Sequence, residues 1–180
     1  NGRIVYEGHG IQPDVKIEPE MLSTITAHLY AQNMIFKYAN KFYREHKTIA
    51  SPDKFEITDE IYNDFVKFVE SQDFKYTSES EKDFEKLVKT AKTEGYYDNI
   101  KEQLDLLEEE LKSHKDNDLV NNKKEISDIL KMEIVSRYYF QKGRIISALN
   151  DDPELKRAVE ILLNSNGKNE YETILKGINN

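Results

Sequence analysis

The spacing of apolar residues after Pro19 restricts the fold of this chain more than any other feature. Apolar side chains recur at steps of three and four residues over some seven helical turns: Leu22, Ile25, Leu29, Ala31, Ile35, Phe36, Ala39 and Phe42. This period places them on one face of an α-helix. We therefore expect one long, mostly buried helix that ends before Ser51-Pro52, because proline disfavours the α conformation in the residue before it.

Capping patterns divide the middle of the chain into further helices. Thr58 is a suitable N-cap because acidic residues and an apolar stripe follow it. Ser78 and Glu81 have the spacing of a capping box, in which each side chain bonds the backbone of the other residue. Gly95 then supplies the stop, since glycine readily adopts the left-handed conformation that ends helices. These signals predict two helices between Thr58 and Gly95.

Three more helical segments are predicted after Gly95. The first carries an apolar seam for an antiparallel partner helix, at Ile100, Leu104, Leu107 and Leu111. A long helix from about Leu119 or Asn121 to Leu149 has two apolar stripes, which is typical of a central helix. Asp152-Pro153-Glu154 opens another helix, which we expect residues 164–169 to break before a final short helix over residues 171–176.

The first 18 residues have a different pattern. Short β-branched segments at residues 3–7 and 15–18 flank a loop with two glycines, which predicts two strands. Only 7 Gly and 4 Pro among 180 residues argue against an all-β fold. The predicted fold is mainly α, a helical bundle-like domain of about six to seven helices over residues 19–180, preceded by a two-stranded β segment over residues 1–18.

Charge excludes some partners. The net charge is −8, and residues 51–120 hold 20 acidic against 10 basic side chains. Nucleic acids and anionic membranes attract basic surfaces, so we expect no nucleic-acid partner. The acidic third is interpreted as a solvated helical face, with an acidic docking patch as the alternative.

A group of aromatic and basic residues lies at residues 137–144. It has two interpretations: stacking on single-stranded nucleic acid, or core aromatics whose neighbouring Arg and Lys side chains extend to solvent. The second is favoured, because the predicted helix is buried. Gly143 inside that helix costs roughly 1 kcal/mol relative to alanine, which indicates a close helix crossing.

Catalytic and metal-binding patterns are not found in the sequence. There is no cysteine, and His9, His28, His46 and His114 are scattered without a zinc-binding spacing. Residues 116–118 begin like a calcium loop but lack its later ligands. No serine has an evident base, and no phosphate-binding loop is present. We expect no catalytic residue, metal or cofactor in this chain, and the absence of a long apolar run predicts a soluble chain.

Residues 2–19 resemble the segment that often ends the protease domain of the carboxyl-terminal processing peptidases, also called tail-specific proteases. The matching structural signature is Gly8, Gly10, Ile11, Pro13 and Asp14, although His9 stands where that family commonly has glycine. Residues 58–71 and 133–145 are more loosely similar to the helical C-terminal extension of bacterial envelope members.

The resemblance implies a function for the parent protein. The family's serine nucleophile and lysine base normally precede the signature, so this chain resembles a non-catalytic C-terminal fragment. We expect its helical module to support the protease domain, to shape substrate access or to mediate assembly. Ser165 to Lys168 are only superficially similar to the segment around the family's catalytic lysine, and we interpret them as a loop without a catalytic role. The implied partners are an upstream catalytic domain and polypeptide substrates, and the implied location is the periplasm or cell envelope. The alternative is an independent helical module for protein binding or oligomerisation, including homo-oligomers.

Overall fold

A computed structural model describes residues 13–19, 21–163 and 165–176, with backbone alone for residues 165–169. The described chain forms nine helices rather than the six to seven predicted. In chain order they are α1 Thr24–Ala31, α2 Met34–Glu45, α3 Asp59–Ser71, α4 Glu79–Glu94, α5 Tyr97–Asp116, α6 Asp118–Asn121, α7 Lys123–Ala148, α8 Pro153–Leu163 and α9 Ser165–Leu175. The mainly α fold class is thereby confirmed.

The predicted β segment is not seen in the described part of the chain. Residues 15–18 form irregular backbone between Asp14 and Pro19, with no strand assigned. The other predicted strand, residues 3–7, lies outside the described residues. The pairing of the two segments therefore stays a prediction.

The prediction of one continuous first helix is wrong. The helix is divided at Asn33, whose φ of 59° and ψ of 26° are left-handed, and α2 then ends at Glu45. Asparagine tolerates this conformation better than most residues because its short polar side chain can bond locally. The apolar period continues through the break, since α1 and α2 both bury their apolar faces in the same core.

The long seventh helix also differs from the prediction. Phe140, with φ 57° and ψ −158°, kinks α7, so the element is two helical segments rather than one continuous helix. Gly143 is buried just after the kink, where an added Cβ would overlap the Cβ of Tyr139 and lie 3.2 Å from Cγ1 of Val135. The close approach predicted from Gly143 is real, but its partner is the preceding part of the same helix.

The predicted C-terminal break is wrong over residues 165–169. Residues 165–169 are helical and form the start of α9, which runs to Leu175. The segment from Ser165 to Lys168 is therefore part of a helix and not a loop.

One buried cluster joins α1, α2, α3 and the first half of α7, with α2 and α7 in the most extensive contact. Its members include apolar and aromatic side chains from all four helices: Ile25, Leu29, Ile35, Tyr38, Phe42, Phe65, Val69, Ile126, Leu130, Ile134 and Val135. The single hydroxyl hydrogen of Tyr38 is shared between the carbonyl of Ile61 at 3.1 Å and a carboxylate oxygen of Asp64 at 2.9 Å. The prediction of a central helix is thus confirmed for the first half of α7.

Two helical hairpins extend from this core. Helices α4 and α5 run antiparallel, as predicted, and Lys115 near the end of α5 contacts Glu81 near the start of α4 at 2.7 Å. Each of the four predicted caps is present: the Thr58 and Ser78–Glu81 caps, the left-handed Gly95, and Asp152, whose carboxylate accepts from the backbone of Glu154 and Leu155. Helices α8 and α9 form the second hairpin.

Candidate docking site

The clearest candidate site is a groove between residues 13–18 and the α8–α9 hairpin. Its volume is about 710 Å³. One wall is the irregular segment from Pro13 to Glu18, and the other consists of side chains from α8 and α9, among them Ala158, Ile161 and Ile174. We call it the entry groove, because it lies where the chain enters the helical domain.

An apolar face of α8 borders the entry groove at Leu162, which lines the groove, and this face is incompletely covered. Leu155, Val159 and Leu162 recur at steps of four and three residues, which places them on one face of α8. All three are exposed, Leu162 by 60 %. A contiguous apolar face left in water is typical of a surface that another protein element covers.

Polar contacts fix the shape of the hairpin. Arg157 on α8 donates to the carboxylate of Glu170 on α9 and to that of Glu160 one turn away. These bonds raise the pKa of Arg157, the largest contribution coming from Glu170. The guanidinium therefore links the two helices beside the groove.

Two of the five predicted signature residues lie at this site. Pro13 and Asp14 line the entry groove. Gly8, Gly10 and Ile11 lie outside the described residues. The structural role of the signature as a whole therefore stays a prediction.

The titratable groups with shifted pKa values that pack in the core belong to structural contacts. Burial, with a bond to Asp64, raises the pKa of Tyr38 well above its usual range, while a bond from Lys41 lowers that of Asp64. Burial raises the pKa of Tyr62 to about 12, and its hydroxyl donates to the carbonyl of Leu119 at 2.5 Å. These groups join helices of the core and do not line the entry groove.

The described side chains do not assemble other familiar sites. No cluster of three potential metal ligands occurs among them. His28 is half-buried against the ring of Tyr76, with the ring centroids 5.3 Å apart. Across the described helices, none is both long and apolar enough to cross a bilayer.

The sequence predicts the helix that contains Leu155, Val159 and Leu162, but it did not predict that these three side chains are exposed. A signal for their exposure was present. Leu163 follows Leu162 directly, so the apolar face of α8 is wider than the single short helix α9 covers. Leu163 itself is 77 % exposed.

A family model described as the C-terminal helical domain of a probable PDZ-protease matches residues 25–162, more than three quarters of the chain. The chain belongs to this family. The match confirms the coarser part of the resemblance, namely the helical C-terminal region of a protease. No curated protein and no solved structure matches the chain.

The matched range includes every helix of the PDZ-protease domain from α2 to α7, most of α1 and nearly all of α8. The buried core that joins α1, α2, α3 and α7 therefore lies within the family's domain. So does the helical wall of the entry groove up to Leu162.

Proposed function

We propose that this PDZ-protease domain is the non-catalytic helical module of a secreted bacterial carboxyl-terminal processing peptidase of the serine–lysine type. Residues 1–18 would be the last strands of its catalytic domain, and residues 19–180 the helical module. The serine and lysine would lie upstream, in a protein of the periplasm or cell envelope. The family match supports the protease, and the signature from Gly8 to Asp14 supports the processing class.

The entry groove is the structural feature that supports the proposal. Pro13 and Asp14 lie in the wall that residues 13–18 form, next to Leu162 at the edge of the exposed apolar face of α8. Burial of apolar surface stabilises a contact by roughly 25 cal/mol for each Å² removed from water. A catalytic domain that covered Leu162 in the groove and the neighbouring Leu155 and Val159 would remove this apolar face from water, and the helical module would in turn support that domain.

The alternative is an independent helical module for protein binding or oligomerisation. In that case the exposed face of α8 would serve a separate partner or a second copy, and a variant on it would leave peptidase activity unchanged. The distinction rests on whether the α8 face is coupled to catalysis.

A pair of matched variants tests that coupling in the longer protein that contains the catalytic domain. Leu162→Glu introduces a charge into the entry groove, and Leu106→Glu introduces the same charge on α5, away from it. The two leucines are 60 % and 64 % exposed, so each change should alter the unfolding free energy of the 180-residue chain by no more than about 0.5 kcal/mol.

The readout is the rate at which an unstructured polypeptide is cleaved. We expect Leu162→Glu to lower the rate about tenfold or more and Leu106→Glu to leave it within a factor of two. Equal rates for the two variants would contradict the proposal. The processing class is tested separately, since the rate should then depend on the last residues of the substrate.

A further inference from the structure

A second surface, separate from the entry groove, lies where α2 packs against α7. It carries three aromatic side chains, Phe36, Tyr43 and Phe140, and three basic ones, Lys37, Arg44 and Lys47. We call these six residues the basic ledge. Five of them lie on the exposed side of α2, beside its contact with α7, or directly follow α2, and Phe140 follows Tyr138 and Tyr139 on α7.

Side-chain contacts between the two helices hold the ledge together. Arg137 on α7 lies over the ring of Phe36 at 4.7 Å and donates to the side chain of Asn40 at 2.8 Å. The rings of Tyr43 and Tyr138 meet edge to face at 4.8 Å. These contacts make one continuous surface from α2 and α7.

Hydroxyl groups fix the far end of the same surface. Tyr138 donates to the carbonyl of His46 at 2.6 Å, and Tyr139 donates to that of Ile49 at 3.3 Å. The chain after α2 is thereby tied to α7, so the backbone on either side of Lys47 is anchored beside the aromatic rings.

The three cations of the ledge are available to a partner. Within the described part of the chain, no carboxylate lies within ion-pair distance of Lys37, Arg44 or Lys47. The nearby carboxylates already have partners: Glu133 binds Arg137, and Lys41 binds both Asp64 and Glu45. The surface is therefore locally positive in a chain whose net charge is −8.

Phe140 is exposed at a cost in backbone energy. Its φ of 57° and ψ of −158° lie in a region that only glycine adopts readily. The ring is nevertheless 77 % exposed, so burial of the ring in this domain does not offset the strain energy of the backbone. Strained residues are concentrated at binding sites, which agrees with a ring kept outside for a partner.

We propose that the basic ledge binds an acidic, extended segment of polypeptide that contains aromatic residues. Lys37 and Arg44 are two helical turns apart, about 10 Å, which three residues of extended chain span. Glutamate and aspartate side chains of the segment would pair with the cations, and its aromatic side chains would pack on Tyr43, Phe36 and Phe140.

The form of the surface favours a peptide over other anionic partners. An anionic membrane favours a broad apolar face along an amphipathic helix, whereas the ledge offers three separate aromatic rings, Phe36, Tyr43 and Phe140, among its cations. A nucleic acid strand continues beyond 10 Å with a charge at each phosphate and would meet Glu133, Glu45 and Asp64 at the margins of the ledge.

Equilibrium binding to the 180-residue chain tests the proposal without any need for peptidase activity, so its failure is distinct from that of the proposed function. The probe is a fluorescent octapeptide of six glutamates and two tyrosines. We expect it to bind, with affinity falling as salt rises, and a version with glutamine at each glutamate to bind at least tenfold more weakly. The triple variant Lys37→Glu, Arg44→Glu, Lys47→Glu should also weaken binding at least tenfold.

A matched triple variant controls for net charge: Lys86→Glu, Lys89→Glu, Lys101→Glu, on exposed positions of α4 and α5. It should bind the peptide as the unchanged chain does. Phe140→Ser should weaken binding severalfold through the lost aromatic contact. Equal binding by the two triple variants would overturn the proposal, as would an absence of peptide binding. Preferential binding of anionic lipid vesicles or of single-stranded DNA would overturn it as well.

Discussion

Replacing Val135 by aspartate should destabilise the domain severely. Val135 lies on the first half of α7 with none of its surface exposed, among the residues that join α7 to the other core helices. Losing the buried valine side chain costs about 1.5 kcal/mol. An ionised aspartate cannot be accommodated there, so it would take up a proton. Keeping a carboxyl with an ordinary pKa near 3.9 protonated at pH 7 costs about 4 kcal/mol.

We therefore expect Val135→Asp to lower the unfolding free energy by at least about 4 kcal/mol at pH 7, measured by urea denaturation. Val120→Asp is the control, because Val120 on α6 is 70 % exposed and the same change there should cost less than about 0.5 kcal/mol. A loss below about 1 kcal/mol for Val135→Asp would show that α7 is not the central helix.

The penalty should also depend on pH in one direction. Burial raises the pKa of the introduced carboxyl above its unfolded value, so the folded state binds more protons and loses stability as pH rises between the two pKa values. Val135→Asn, of similar size and uncharged, corrects for the pH dependence of the rest of the protein. The difference between the Asp and Asn variants should grow with pH by up to about 1.4 kcal/mol per unit, and a constant difference would refute the burial argument.

Three other outcomes are expected from urea denaturation. Gly143→Ala should destabilise by about 1 kcal/mol despite the better helix propensity of alanine, because the new Cβ meets backbone-linked atoms of Tyr139 that cannot move away; a stabilised variant would contradict this. Tyr38→Phe should cost about 1–2 kcal/mol, because it removes the hydroxyl that donates to the Asp64 carboxylate and the Ile61 carbonyl, and an unchanged stability would show that this hydroxyl does not contribute. Burial alone would raise the pKa of Glu81, but bonds from Lys115 and Ser78 outweigh it and hold the pKa below its usual 4.5. Glu81→Gln should therefore lower the unfolding free energy above pH 4.5, and this loss should vanish as pH falls through the lowered pKa. A loss of stability that persists in acid would contradict the prediction.

The local features of the fold could be predicted from the sequence because each depends on a few neighbouring residues. The Ser78–Glu81 capping box, the left-handed Gly95 and the Asp152 cap are complete within four or five positions. Their energies are set by backbone groups at a helix end, wherever that helix packs. The apolar period likewise identified most of the residues that are buried in the core.

The helix breaks could not be predicted in the same way. At Asn33 and at Phe140 the apolar spacing continues through the break, because tertiary packing decides whether a helix turns there. The entry groove was missed for a related reason. Periodicity shows which face of α8 is apolar, but it does not show whether another element covers Leu162.

The most direct test of the central claim compares three proteins for cleavage of an unstructured polypeptide: the longer protein with its catalytic domain, the same protein lacking residues 20–180, and the 180-residue chain alone. If this domain supplies support and no catalytic group, the longer protein cleaves, its truncated form loses at least about tenfold in rate, and the isolated chain is inactive. Full activity in the truncated protein would contradict the supporting role. Turnover by the isolated chain that Lys168→Ala abolishes would contradict its non-catalytic nature.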